Sequence, residues 1–187
     1  MTRHSEKDLL TFGSQVRYKL VVAQIITKYN QLVETEHLFS DKTAAYCAYE
    51  SRRWNLQSYS GNSAWTIWLK DLVADRICER AAMNEEKLPE RSSTGINLSY
   101  GNPALYKLVM AEIPEGGGAL RESIMYISDF LHSDREFNHW QHYLEYHDYL
   151  SDWIIWVTSL ELGKPIEYDA MEAGQILPEN WDWKKNA

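Results

Sequence analysis

The chain has 187 residues and a formal charge of −8, with 44% hydrophobic, 25% charged and 13% aromatic residues. These proportions exclude an intrinsically disordered chain, and nine glycines with five prolines are too few for an all-β protein full of tight turns. No apolar run reaches the length of about eighteen residues that marks a membrane span, and MTRHSEKDLL at the N-terminus carries no apolar secretory core. A cytoplasmic protein without membrane contact is expected.

The charge is unevenly placed. Residues 1–99 hold thirteen Lys/Arg and twelve Asp/Glu, whereas residues 100–187 hold six and fifteen. The acidic second half would repel a phosphate backbone, which disfavours direct nucleic-acid binding. It would attract a basic protein partner. Cys47 and Cys78 form no CxxC pattern and read as buried thiols in a reducing compartment.

Hydrophobic spacing predicts helices along the whole chain. The first runs from Ser5 to about Ser40, with Tyr18, Val22, Ile25, Ile26, Tyr29, Leu32 and Val33 on one face. Asp41 caps a second helix from Lys42 to about Ser58, in which Ala44, Ala45, Cys47 and Ala48 permit close approach of a neighbour. Ser63 caps a third, from about Ala64 to Lys87, with Trp65, Trp68, Leu69, Leu72, Val73 and Arg76 on one face. A Ser/Gly/Asn/Pro-rich break at 88–102 reads as a hinge within a single domain spanning 1–187. Pro103 opens a short fourth helix to Ile113. Pro114 and Gly116 to Gly118 form a loop before a fifth, with Leu120, Ile124, Ile127 and Leu131 as its stripe. The sixth helix, Asp134 to Leu160, is aromatic-rich and buried on most sides, with one polar strip of Gln141, Glu145, Asp148, Asp152 and Ser159. Gly163, Lys164 and Pro165 end it, and 164–187 is an irregular tail whose Trp181 and Trp183 either dock back on the body or form an exposed partner-binding peptide. No repeat with a period of 20–50 residues is visible. The expected fold is an all-α, roughly six-helix bundle.

Three constellations could carry chemistry. Glu34-x-x-His37 and Glu136-x-x-His139 have the spacing of carboxylate–histidine ligands in metal-binding bundles. His139, His142 and Glu145 or His147 could hold a single ion. Clustered histidines also suit pH sensing. Arg135 and His142, in the spacing R-x6-H, resemble the R-x4-6-H motif of the HEPN family, small helical bundles that are often dimeric, metal-independent ribonucleases. That resemblance implies catalysis by Arg135 and His142, although Glu136 stands where the family commonly has Asn, Asp or His. No Walker loop, GxGxxG, HExxH or zinc-finger spacing occurs.

The leading expectation is a non-enzymatic protein–protein interaction module, an inhibitor, immunity, anti-defence or accessory-subunit type protein acting on a more basic partner. Glu145, Asp148, Asp152, Trp181 and Trp183 are its expected contact residues. The alternatives are the HEPN-like ribonuclease and a His/Glu metal-binding bundle. No cofactor is expected, and a homodimer is one possible assembly.

Overall fold

A computed structural model describes residues 10–91, 97–114, 119–147 and 152–171. Its centre is an eight-stranded antiparallel sheet with two helices, not an all-α bundle. The strands are β1 (Tyr18–Ile26), β2 (Gln31–Phe39), β3 (Trp65–Asp71), β4 (Arg76–Met83), β5 (Tyr106–Ile113), β6 (Arg121–Ile127), β7 (Asp152–Ser159) and β8 (Lys164–Met171). Helix α1 (Lys42–Tyr59) follows β2, and α2 (Phe130–His147) follows β6. The spatial order is β4-β3-β1-β2-β6-β5-β7-β8.

The predicted first, third, fourth and fifth helices are strands or hairpins. Their reading failed because the sheet is covered on both faces, so its strands lose the alternation of a half-exposed strand. In β7 all eight residues are buried, and WIIWVT satisfies a helical stripe as well as a strand. The predicted sixth helix is two elements, α2 and β7, so its single polar strip does not exist: Asp152 begins a strand and is buried. The predicted irregular tail begins with a strand, β8, and the rest of it, with Trp181 and Trp183, lies outside the described residues. Residues 92–96 of the predicted hinge, Gly116 to Gly118 and Asp148 also lie outside them. Among the described residues no helix is long and apolar enough to cross a membrane.

The architecture is a tandem duplication. Every element of the first half recurs 88 residues later, both helices with identical bounds after that shift. Without a gap, residues 10–83 match 98–171 at 21 of 74 positions, including YKLV in β1 and β5, Ser-Asp before each helix and W-x-I-W in β3 and β7. The period lies outside the 20–50-residue window in which the chain shows no repeat. Fine detail repeats too. Asp41 accepts from the Ala44 N–H and Asp129 from the His132 N–H, capping α1 and α2. The β3–β4 pair is bulged between Leu69 and Lys70, and the β7–β8 pair between Val157 and Thr158. The hairpin turns reach a left-handed residue at Asp75 in one half and Gly163 in the other.

The halves join where β2 pairs with β6, and His37 stands opposite its own equivalent, Met125. A pseudo-twofold axis therefore passes between these two residues. Both helices lie on one face. α1 packs on Leu20, Phe39, Trp65, Ile67 and Leu69, and α2 on Leu108, Met125, Ile127, Trp153 and Ile155, while Trp140 joins the two cores. The other face is covered by the segments leading into each half, which cross over. Leu10, Phe12 and Val16 lie on Val109, Ile154 and Trp156 of the second half, and Tyr100 lies beside Val21 and Trp68 of the first.

Two buried glutamates hold these crossed segments. Glu34 accepts from the Tyr100 and Asn102 N–H groups at 2.6 and 2.9 Å. Its equivalent, Glu122, accepts from the Phe12 and Ser14 N–H groups, the latter at 2.8 Å. Glu34 is completely buried.

Candidate functional site

The two halves diverge most along the axis, on the helix-covered face. Arg52 and Trp140 are equivalent positions, as are Ala44 and His132, Cys47 and Arg135, Ala48 and Glu136, and Ser51 and His139. One half carries small side chains along the first turns of its helix, and the other carries large polar ones. The consequences differ at the two ends of the interhelix groove.

At the end bounded by the first part of α2, a charged network is built. Arg52 reaches across from α1 to pair with Glu136, which is buried. His132 Nε2 lies 3.3 Å from the same carboxylate, and the Trp140 indole N–H donates to it at 3.2 Å. Burial opposes ionisation of Glu136, but the Arg52 guanidinium and His132 outweigh it and hold the carboxyl well below the usual range. His37 is packed beneath, its ring 3.8 Å from that of Phe39 and edge-on to Trp140.

Burial, helped by the nearby Arg52 charge, drives the His37 pKa down to about 3. Its Nε2 has no hydrogen-bond partner. A histidine with a folded pKa below its unfolded one contributes fully to stability above pH 6.5 and loses that contribution as the pH falls. Denaturant melts between pH 7 and 5 should show stability falling by about 2 kcal/mol as the unfolded state takes up this proton. His37→Leu should flatten that part of the profile.

At the end bounded by the first part of α1, the small residues leave a cleft of about 370 Å³. Ala44, Cys47, Ala48 and Ser51 form one wall, and His139, Trp140, Tyr143 and Leu144 the other. Phe39, Met110 and Ser123 from the sheet form its floor, and Asp41, Glu112 and Arg121 stand at its rim. Arg121 lies 3.4 Å from Glu112. Asp41 Oδ1 accepts the Ala44 N–H at 2.8 Å. The volume and the mostly apolar walls with a few convergent polar groups suit one small ligand or one inserted side chain.

Both helices carry exposed aromatics, of which Tyr143 lines the cleft. Trp54 and Tyr59 pair edge to face on α1, and on α2 ring contacts link His139, Trp140 and Tyr143, with His142 stacked on Tyr146. Trp54, Tyr59, Phe130, Leu131, Tyr143 and Tyr146 are each at least 40% exposed.

The residues singled out from sequence fall differently. Arg135 and His142 lie two turns apart on α2, both exposed, and the helical bundle that the HEPN resemblance implies is absent. Glu34 and His37 stand on opposite faces of the sheet, because three-residue spacing in a strand reverses the side-chain direction. Glu136 is committed to Arg52 and His132. His139 and His142 are exposed rather than buried, although His139 lines the cleft and partial burial with the Arg52 charge lowers its pKa. Among the described residues no three His, Cys, Asp or Glu side chains are grouped to hold a metal. Glu145 is exposed on α2. Cys47 is exposed in the cleft wall, and Cys78 is half-buried. Sequence reasoning missed Arg52 and the cleft itself. The signal was the small-residue run in α1, legible as a cavity only once aligned with its equivalent in α2. No protein-family model, curated protein or solved structure matches this chain.

Proposed function

We propose that the chain is a non-enzymatic protein-binding module of the inhibitor, immunity or accessory-subunit type, and that it receives a more basic partner on its helix layer. The observation that supports this reading is the placement of exposed aromatics: five of the seven among the described residues lie on α1 and α2, and one of them, Tyr143, lines the cleft. Tyrosine and tryptophan anchor protein interfaces because they bury large areas with few rotatable bonds. An exposed apolar patch with a central pocket is the usual form of such a surface. The net charge of −8 speeds encounter with a basic partner at low ionic strength.

A photo-crosslinking amino acid placed at Trp54 or at Tyr143, in the cells that make the protein, should give one common adduct. The same group at Tyr29 or Tyr168, on a hairpin turn and on β8, should not. Adducts from the second pair alone would overturn the reading.

A further inference from the structure

We propose that the cleft between α1 and α2 is the receptor for an arginine side chain of the partner, an assignment that rests on the protein-binding reading. The first argument is charge. Around the cleft and the network behind it stand the carboxylates of Asp41, Glu112, Glu122 and Glu136 and the guanidiniums of Arg52 and Arg121, with Glu122 already holding the Phe12 and Ser14 N–H groups. Arg52 is committed to Glu136, and Arg121 to Glu112. Asp41 makes no ion pair among the described residues, and its one hydrogen bond is the helix cap to the Ala44 N–H. An anionic ligand would find both cations already engaged, whereas a cation finds a carboxylate available.

The second argument is shape. Trp140 and Tyr143 form one wall and Phe39 the floor, so a cation entering there passes over aromatic faces, among which tryptophan attracts cations best. Arginine fits better than lysine. Its planar guanidinium stacks on rings, is weakly hydrated and forks toward carboxylates, whereas an ammonium is a compact, strongly hydrated point charge.

The third argument comes from the filled half of the duplication. There the chain seats an arginine of its own, Arg52, against a buried carboxylate whose other donors include the Trp140 indole. The open half has Ala48 where the filled half has Glu136, and offers Asp41 and Glu112 at its rim instead.

The test is an NMR titration of the intact protein with N-acetyl-arginine N-methylamide, its lysine analogue and its neutral citrulline isostere. The arginine probe should give saturable shifts at the Thr43, Ala44 and Cys47 amides and at the Trp140 indole. Citrulline should bind roughly tenfold or more weakly, since it loses the charge-assisted hydrogen bonds. Combining Asp41→Asn, which keeps a capping side chain, with Glu112→Gln should abolish the difference between the two. Equal binding of citrulline or lysine, or shifts that never saturate or map outside the cleft, would overturn the assignment. Crosslinks from Trp54 and Tyr143 together with a negative titration would sink the arginine site and leave the protein-binding reading standing. Saturable arginine binding without crosslinks would do the reverse.

Discussion

Glu136→Ala should lower the unfolding free energy by about 3–5 kcal/mol, the cost of leaving a largely buried charge without its partner. Arg52 retains only about a fifth of its side-chain exposure, and among the described residues Glu136 is the carboxylate it pairs with. The Trp140 indole N–H would lose its acceptor as well. Replacing both members, Arg52→Leu with Glu136→Leu, should cost much less than the single change, because an apolar pair of similar volume removes the desolvation penalty together with the attraction. Urea midpoints for the wild type, Arg52→Leu, Glu136→Leu and the double variant check the point. The wild-type pair also carries a pH signature. A carboxyl whose folded pKa is depressed contributes stability above its unfolded pKa, near 4.5, and loses that contribution as the pH falls further. The single variant should lack this acid-side loss.

The second large effect belongs to the crossed segments. Glu122→Ala strands the Phe12 and Ser14 N–H groups, and Glu34→Ala strands those of Tyr100 and Asn102. A buried donor left unsatisfied costs about 1–3 kcal/mol, and the Tyr100 donor is buried while the other three are part-buried, so Glu34→Ala should cost about 1–3 kcal/mol in denaturant melts and Glu122→Ala somewhat less. The two glutamates sit at opposite ends of the β2–β6 pair, so the double variant should lose close to the sum. Glu34 adds a test of sign. Burial raises its pKa, against the pull of the two N–H groups, so the favourable contribution of its neutral form is complete at low pH and lost as the pH rises. Glu34→Gln should therefore cost less at pH 7 than at pH 4. The opposite order would mean that the N–H groups, not burial, dominate this carboxyl.

Local signals in the chain were sound where one physical cue dominated. Asp41 before a run of small residues places α1 to within a residue or two, because a capping oxygen three residues ahead of Ala44 is a local event. The strands were not legible in the same way. Val21, Ala23, Leu20 and Val22 of β1 all have apolar neighbours, on alternate faces, and a strand covered on both sides has the composition of a buried helix. Only the crossed segments make the second face apolar, and their crossing is a long-range event. The duplication was legible in principle, since YKLV and W-x-I-W recur without a gap. It supplies the constraint that short-period scanning omits, because W-x-I-W preceding a turn in both halves is a strand in both or a helix in both. The site was harder still. Arg52 acquires meaning only beside Glu136, 84 residues away in sequence, and the cleft exists because equivalent positions on α1 and α2 diverged in size.

The most direct test of the central claim is the affinity of the partner, once captured by crosslinking and purified, for variants of the helix layer. Trp54→Ala and Tyr146→Ala should each weaken the complex at least tenfold, about 1.4 kcal/mol, while Val73→Ala in the β3–β4 turn leaves it unchanged. Equal affinities for all three, or a loss confined to Val73→Ala, would contradict a docking surface built on α1 and α2.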